Sequence, residues 1–294
     1  MKEHNIKVEK GLYCQYDPSV HFESAVGGLR IYIPAARGYV NYNLVHTVSE
    51  SKNCDTWRLG KAYAFDDHFE NEYELTPHGA EWDMALKLKG RPDFIGGYAH
   101  GDEAFTSLSV NVDGKAVDME VLAALTPFRE MIITVASVGY DPADPTMKAL
   151  KHFKEYVING EGITLNQKVE WLNDYALGSS YMAMMPPLKT LTDSYYTNVD
   201  PTPRVAISNY GDVAGATVAV VFGTESKISF MMSIPKHPSL MGGGRFSITD
   251  NGGRPYNKMY FVICNGADVS TGDVWETTTE YRITIGSDKA VQLS

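Results

Sequence analysis

The sequence predicts an all-β protein, a large antiparallel β-sandwich of jelly-roll type. Three observations predict it. Short apolar runs alternate with turn signals at a spacing of roughly 10 to 20 residues, the pattern of sandwiches and barrels. Glycine (26) and tyrosine (18) are frequent. Helix candidates are few, namely residues 144–150 and a turn near 190–195.

The runs read as strands in order: LRIYIP, YVNYNLVHTV, EWDMALKLKG, SLSVNVDGKAVDM, REMIITVASV, HFKEYVI, ITLNQKVEWL, RVAIS, GATVAVVFG, KISFMMSI, GRFSIT, KMYFVIC and EYRITIG. VDGK at 112–115 is a hairpin signal, because Asp-Gly suits a type I′ turn. No internal repeat or low-complexity tract appears. The Pro-rich NVDPTPRV (198–205) is the best break, too short to divide the chain. Residues 1–294 are therefore read as one all-β domain, since large sandwiches often exceed 200 residues as one unit.

Composition narrows the function classes. Hydrophobic residues are 44% and charged residues 21%, so a core can form without staples. The net charge is −10 and no Lys/Arg-rich run stands out, which argues against nucleic acid. An anionic sugar polymer stays open, because a cleft can be basic on an acidic protein. Cys14, Cys54 and Cys264 are too few and too widely spaced for a disulfide framework or a zinc motif, and read as reduced thiols with at most one bridge. No run of about 18 apolar residues predicts a membrane span. No apolar stretch follows the charged start MKEHNIKVEKG, so the chain reads as cytoplasmic as written, or extracellular through a trimmed leader or lysis-type release. No cofactor is expected, and the oligomeric state is not readable.

The most informative piece is the hairpin HFKEYVINGEGITLNQKVEW, residues 152–171. With the loop at 159–162, Ile158 opposes Ile163, Tyr156 opposes Leu165, Lys154 opposes Gln167 and His152 opposes Val169. Side chains alternate across a strand. One face carries His152, Lys154, Tyr156 and Ile158 beside Ile163, Leu165, Gln167, Val169 and Trp171. The other carries Phe153, Glu155 and Val157 beside Thr164, Asn166, Lys168 and Glu170, and is the wetter. A buried lysine is expensive unless paired. A groove thus explains the first face: Trp and Tyr stack on sugar rings while Lys, His and Gln meet carboxylates and hydroxyls. The competing reading is a two-sided sheet with these residues at its rim.

A second stretch, DFIGGYAHGDEAF (93–105), gathers His100, Asp102 and Glu103 behind a double glycine. Gly96, Gly97 and Gly101 permit backbone angles barred to other residues. The loop can aim His100 and Glu103 into a cleft. It can equally be a polar turn capped by Asp102, and a metal site is the weakest option, with no second histidine at ligand spacing. The preceding strand places Trp82, Met84, Leu86 and Leu88 on one face, with Asp83, Lys87 and Lys89 opposite. His46 reads as a satisfied core histidine. Arg58 and Arg91 could clamp a carboxylate, or form surface ion pairs. PSLMGGGRF and TDNGGRPYNK lack the strand-GxxxxGK-helix context of a phosphate loop, and no G-x-S-x-G is present.

A β chain of this length with a face of His, Lys, Tyr, Gln and Trp resembles the β-sandwich and jelly-roll polysaccharide lyases, as does the closing KMYFVICNGADVSTGDVWETTTEYRI. The resemblance is architectural, over roughly residues 80 to 285; R-[ST]-E-L, Q-[IV]-H and Y-x-K-x-G-x-Y-x-Q of alginate lyases are missing. A mutarotase-like supersandwich, with a histidine acid and a carboxylate base, is the nearest rival fold. The lyase resemblance implies β-elimination on a uronate-containing polysaccharide. Arg91 or Gln167 would neutralise the carboxylate, His100 or Lys154 would take the proton, and Tyr156 would protonate the leaving oxygen. Glu103, His152 and Trp171 would complete the substrate contacts. The alternatives are a non-catalytic carbohydrate-binding module of a tail or surface assembly, and a sugar epimerase.

Overall fold

A computed structural model describes residues 10–19, 25–77, 82–201, 205–209 and 211–286. Strand accounts for 62% of the described residues and helix for 5%, against a usual helical share near a third. The fold is all-β with large antiparallel sheets, as expected. Among the described residues no helix is long and apolar enough to cross a membrane.

The central run of the large sheet follows the order Ile228–Lys236, Val274–Ile285, Gly162–Trp171, Asp144–Asn159, Met131–Asp141, Glu103–Val112, Cys54–Phe65, Tyr39–Ser49, Ala25–Pro34 and Leu12–Asp17. All of these pairs are antiparallel except one. Cys54 and Asp55 pair in parallel with Glu103 and Ala104, and this short contact joins the two halves of the sheet. A four-stranded sheet, Ser180–Met185, Asn257–Cys264, Arg245–Asp250 and Asp212–Ala214, supplies a second layer. Its Phe246, Ile248, Met259 and Phe261 belong to the same buried cluster as Leu165 and Val169 of the hairpin.

Sequence alternation explains these strands. Met131–Asp141 is buried at every second residue, as a period of two requires. The turn at 112–115 forms as expected: Asp113 (φ 51°) and Gly114 (φ 81°) both take left-handed angles, and Val112 pairs with Lys115.

Three expected elements differ. Residues 144–150 are not helical; they open the long strand Asp144–Asn159, in which Asp144 pairs with Asp141 across a tight turn. Near 190–195 a 3-10 turn, Lys189–Leu191, gives way to the strand Ser194–Thr197. EWDMALKLKG, whose Glu81 lies outside the described residues, forms no regular strand. It makes isolated bridges, Ala85 to Tyr181, Leu86 to Ile95 and Leu88 to Leu177. Trp82, Met84, Leu86 and Leu88 are all buried, so the segment fills the interior. Trp82 Nε1 donates to Gly60 O at 2.9 Å, and Tyr281 Oη donates to Trp82 O at 2.5 Å, tying the segment to both halves of the sheet. The charged start and residues 202–204 of the Pro-rich break lie outside the described residues. Cys14, Cys54 and Cys264 are free and buried.

Candidate functional site

The hairpin register is the one the loop length dictates: Lys154 opposes Gln167, His152 opposes Val169 and Tyr156 opposes Leu165. The groove expectation is corrected. His152, Lys154, Tyr156, Gln167 and Trp171 are 0–2% exposed and lie in the interior. The physical reason is that their charges are satisfied from within, by carboxylates distant in sequence.

Lys154 Nζ lies 3.2 Å from Asp83 Oδ2 and 3.4 Å from Glu103 Oε1, and donates to Trp57 O at 2.8 Å. Tyr156 Oη donates to the same Asp83 oxygen at 2.7 Å. Ser137 Oγ donates to Glu103 Oε1 at 2.6 Å. His152 Nδ1 meets Glu103 Oε1 at 3.1 Å, while its Nε2 meets Gln167 Oε1 at 3.1 Å. The Gln167 amide nitrogen donates to Met182 O at 2.5 Å, which turns its oxygen towards the histidine. Both ring nitrogens of His152 therefore face acceptor oxygens. Glu103 and Asp83 share the Lys154 ammonium between them.

Burial opposes ionisation of Glu103, but the Lys154 charge and the hydrogen bonds from His152 and Ser137 overcome it and hold the carboxyl well below the usual range. Burial likewise works against the Lys154 cation, and Glu103 and Asp83 reverse it, raising its pKa. Burial first, then Asp83, pushes Tyr156 well above the ordinary phenol. Such groups hold the sheet to the segment that fills it. They are not placed to meet a polymer from solvent.

Glu103 thus sits in the interior rather than beside His100. The loop glycines act as expected: Gly96 N donates to Gly101 O at 2.9 Å, closing a turn over Gly97–His100. A Cβ on Gly101, at φ 84°, would stand 2.0 Å from Lys52 O, so only glycine fits. The turn does not carry His100 into the hairpin. It holds His100 at the surface, where Nδ1 meets Asp93 Oδ1 at 2.7 Å. Asp102 accepts from Asn53 Nδ2 at 3.2 Å, so it does not cap this turn.

Arg91 does grip a carboxylate, but one of this chain. Its Nε lies 2.7 and 2.9 Å from the two oxygens of buried Asp141. Arg58 is no surface ion pair: it is buried and donates to Leu59 O at 3.1 Å. His46 is half-buried, bonded to Asp55 at 2.7 Å and stacked on Trp57 at 5.0 Å. Among the described residues no group of three or more His, Cys, Asp or Glu could hold a metal.

Around His100 the structure assembles residues that sequence reasoning missed. The Phe94 ring lies 4.6 Å from the imidazole, Tyr181 stacks on Phe94 at 6.5 Å, and Tyr260 meets Tyr181 edge-on at 5.4 Å. All three rings are half-buried. Lys87 Nζ donates to the carbonyls of Arg91 and Pro92 at 2.9 and 3.2 Å and stands 5.0 Å over Phe94, fixing the loop that presents the ring. Lys258 stands 5.5 Å over Tyr260. The result is a partly exposed row of rings with a carboxylate-oriented histidine at one end and lysines along it. Asp93 and Phe94 were visible in the loop motif, but Tyr181 and Tyr260 are joined to it only by the fold.

No protein-family model matches the chain, and no curated protein matches it in sequence. Among solved structures, it is similar to a galactose mutarotase-like protein from Clostridium acetobutylicum at 8% identity and a TM-score of 0.48, covering 94% of this chain and 99% of that one. A second is the Slr1438 protein from Synechocystis, at 9% identity and a TM-score of 0.42, covering 90% of this chain and 99% of that one. A third is the galactosidase domain of an alpha-galactosidase–sucrose kinase, at 10% identity and a TM-score of 0.45, covering 86% of this chain and 40% of that one. None of the three carries the name of a polysaccharide lyase, and at such identities none passes a residue role to this chain.

Proposed function

We propose that the protein binds a carbohydrate, without cleaving it, on the ring row formed by Phe94, Tyr181 and Tyr260. The observation that carries this reading is the row itself: three partly exposed aromatic rings, each in contact with the next, flanked by Lys87, Lys258 and the His100–Asp93 pair. Aromatic faces take the apolar side of a pyranose, while flanking polar groups take its hydroxyls or a carboxylate. The flanking lysines favour an acidic, uronate-containing polymer.

A lyase would need a neutralising group, a base and an acid converging on one uronate. Lys154, Tyr156 and Gln167 are buried, and Arg91, though partly exposed, is held by Asp141, which leaves His100 as the partly exposed member of the proposed set that could act as acid or base. One observation favours a second, catalytic reading: the 2.7 Å His100–Asp93 contact orients an imidazole as acid–base chemistry on a sugar requires.

A panel of acidic and neutral polysaccharides tests both. Binding that is lost in Tyr181→Ala and Tyr260→Ala, with no ultraviolet absorbance from an unsaturated uronate and no change in optical rotation of free sugars, supports the binding reading. Product formation that His100→Ala abolishes supports the catalytic one. Binding that survives the tyrosine variants overturns the ring-row site.

A further inference from the structure

We propose a second recognition site, on the outward face of the long hairpin, for a sugar ring that bears a carboxylate or sulfate group. The inference rests on the carbohydrate reading above but uses none of the residues around His100.

The face is the one alternation assigns to solvent. Phe153 is 42% exposed in the middle of a strand, on a chain whose other hairpin aromatics are buried. It opposes Ala136 on one side and Lys168 on the other. Alanine is too small to cover the ring, and the two residues form the floor of a depression of about 490 Å3. Lys148, Lys151 and Lys168 line it, with Glu170 and Thr106.

The charges around this floor do not cancel. Lys151 bonds Glu170 at 3.0 Å. Lys168 opposes Glu276 in the neighbouring strand, but that carboxylate is bonded to Lys236 at 2.6 Å. Glu155, further along the same face, accepts from Asn166 at 3.1 Å. Lys148 and Lys168 have no ion-pair partner among the described residues. A local excess of ammonium groups on a chain of net charge −10 attracts an anion that the rest of the surface repels.

An open phenyl ring between such groups matches one ligand chemistry. The ring takes the apolar face of a pyranose, and the lysines take an anionic substituent of the same or the next residue. A neutral sugar would leave the ammonium groups without a counterpart, and a small inorganic anion would leave the ring without one.

Calorimetric titration of the full chain tests this, with trigalacturonate, a sulfated chondroitin tetrasaccharide and maltotriose as probes. The two anionic probes separate carboxylate from sulfate recognition, and binding of either that Phe153→Ala weakens supports the site. The affinity should fall as salt rises. Phe153→Ala should weaken it about fivefold or more, and a Lys148→Glu, Lys168→Glu double variant about tenfold. Both variants change exposed side chains, so their unfolding midpoints should match the parent. Tyr181→Ala should leave this binding unchanged. The site is overturned if neither anionic probe binds, if maltotriose binds it equally, or if binding is insensitive to Phe153→Ala and to the lysine reversals. Binding sensitive only to Tyr181→Ala also overturns it while supporting the ring row.

Discussion

Lys154 Nζ lies 3.4 Å from Glu103 Oε1, and neither side chain is more than 2% exposed. The pair bridges strands that come from opposite ends of the hairpin's own sheet neighbourhood, with Met131–Asp141 between them. Asp83 and His152 complete a cluster in which both carboxylates meet the Lys154 ammonium and most of the hydrogen-bonding capacity is used. Buried pairs of this kind contribute little net stability compared with apolar residues, yet breaking one leaves an uncompensated charge.

Lys154→Met should therefore destabilise strongly, by about 3–5 kcal/mol, because Glu103 and Asp83 would remain buried without their cation. Denaturant unfolding measures it. A loss under about 1 kcal/mol would show that water or rearrangement compensates the carboxylates.

The same cluster sets the acid limb of stability. Glu103 is held well below its ordinary pKa by Lys154, against its burial. A group whose folded pKa is depressed contributes stability above its unfolded value, near 4.3, which is lost as pH falls through the folded value. The melting temperature should thus fall progressively below about pH 4. Glu103→Gln should flatten this limb, and an unchanged acid slope in that variant would refute the assignment.

His152 supplies a spectroscopic check. Its ring nitrogens face Glu103 Oε1 and Gln167 Oε1, each at 3.1 Å. Nitrogen NMR should show a protected ring N–H, with slow exchange because the ring is 1% exposed. Exchange as fast as that of an exposed imidazole would mean that the contacts with Glu103 and Gln167 open in solution.

What could be read from the sequence followed from local rules. The hairpin register came from a loop length and a period of two, and the 112–115 turn from Asp-Gly chemistry. The placement of Lys154 and Tyr156 could not be read so, because Asp83 lies 71 and 73 positions away. Without that carboxylate in view, a lysine on an apolar face reads as groove rather than core. Residues 144–150 misled for a related reason: their proline, charges and lack of clean alternation hide a strand end held by its neighbour Met131–Asp141. The ring row was split between a loop motif and two distant strands, and nothing local to Tyr181 or Tyr260 marks them.

The loop that presents His100 depends on a glycine with no space for a side chain, which two alanine substitutions can test. Gly114 and Gly101 share a positive φ, 81° and 84°, and Gly101 has a ψ of −146°, outside the left-handed helical region. A Cβ at Gly114 would meet nothing within 4 Å, whereas at Gly101 it would stand 2.0 Å from Lys52 O. Gly114→Ala should cost only the left-handed penalty, about 1 kcal/mol. Gly101→Ala adds a backbone clash, and the turn must move away from Lys52. Its cost should exceed that of Gly114→Ala by about 1–3 kcal/mol. Because Gly101 follows His100 directly, the displaced turn should also break the 2.7 Å His100–Asp93 contact. Sugar binding at the Phe94–Tyr181–Tyr260 row should then weaken in Gly101→Ala and stay at the parental level in Gly114→Ala. Equal unfolding midpoints for the two variants would sink the clash argument. Unchanged sugar binding in a destabilised Gly101→Ala would detach the His100 turn from the ring-row site.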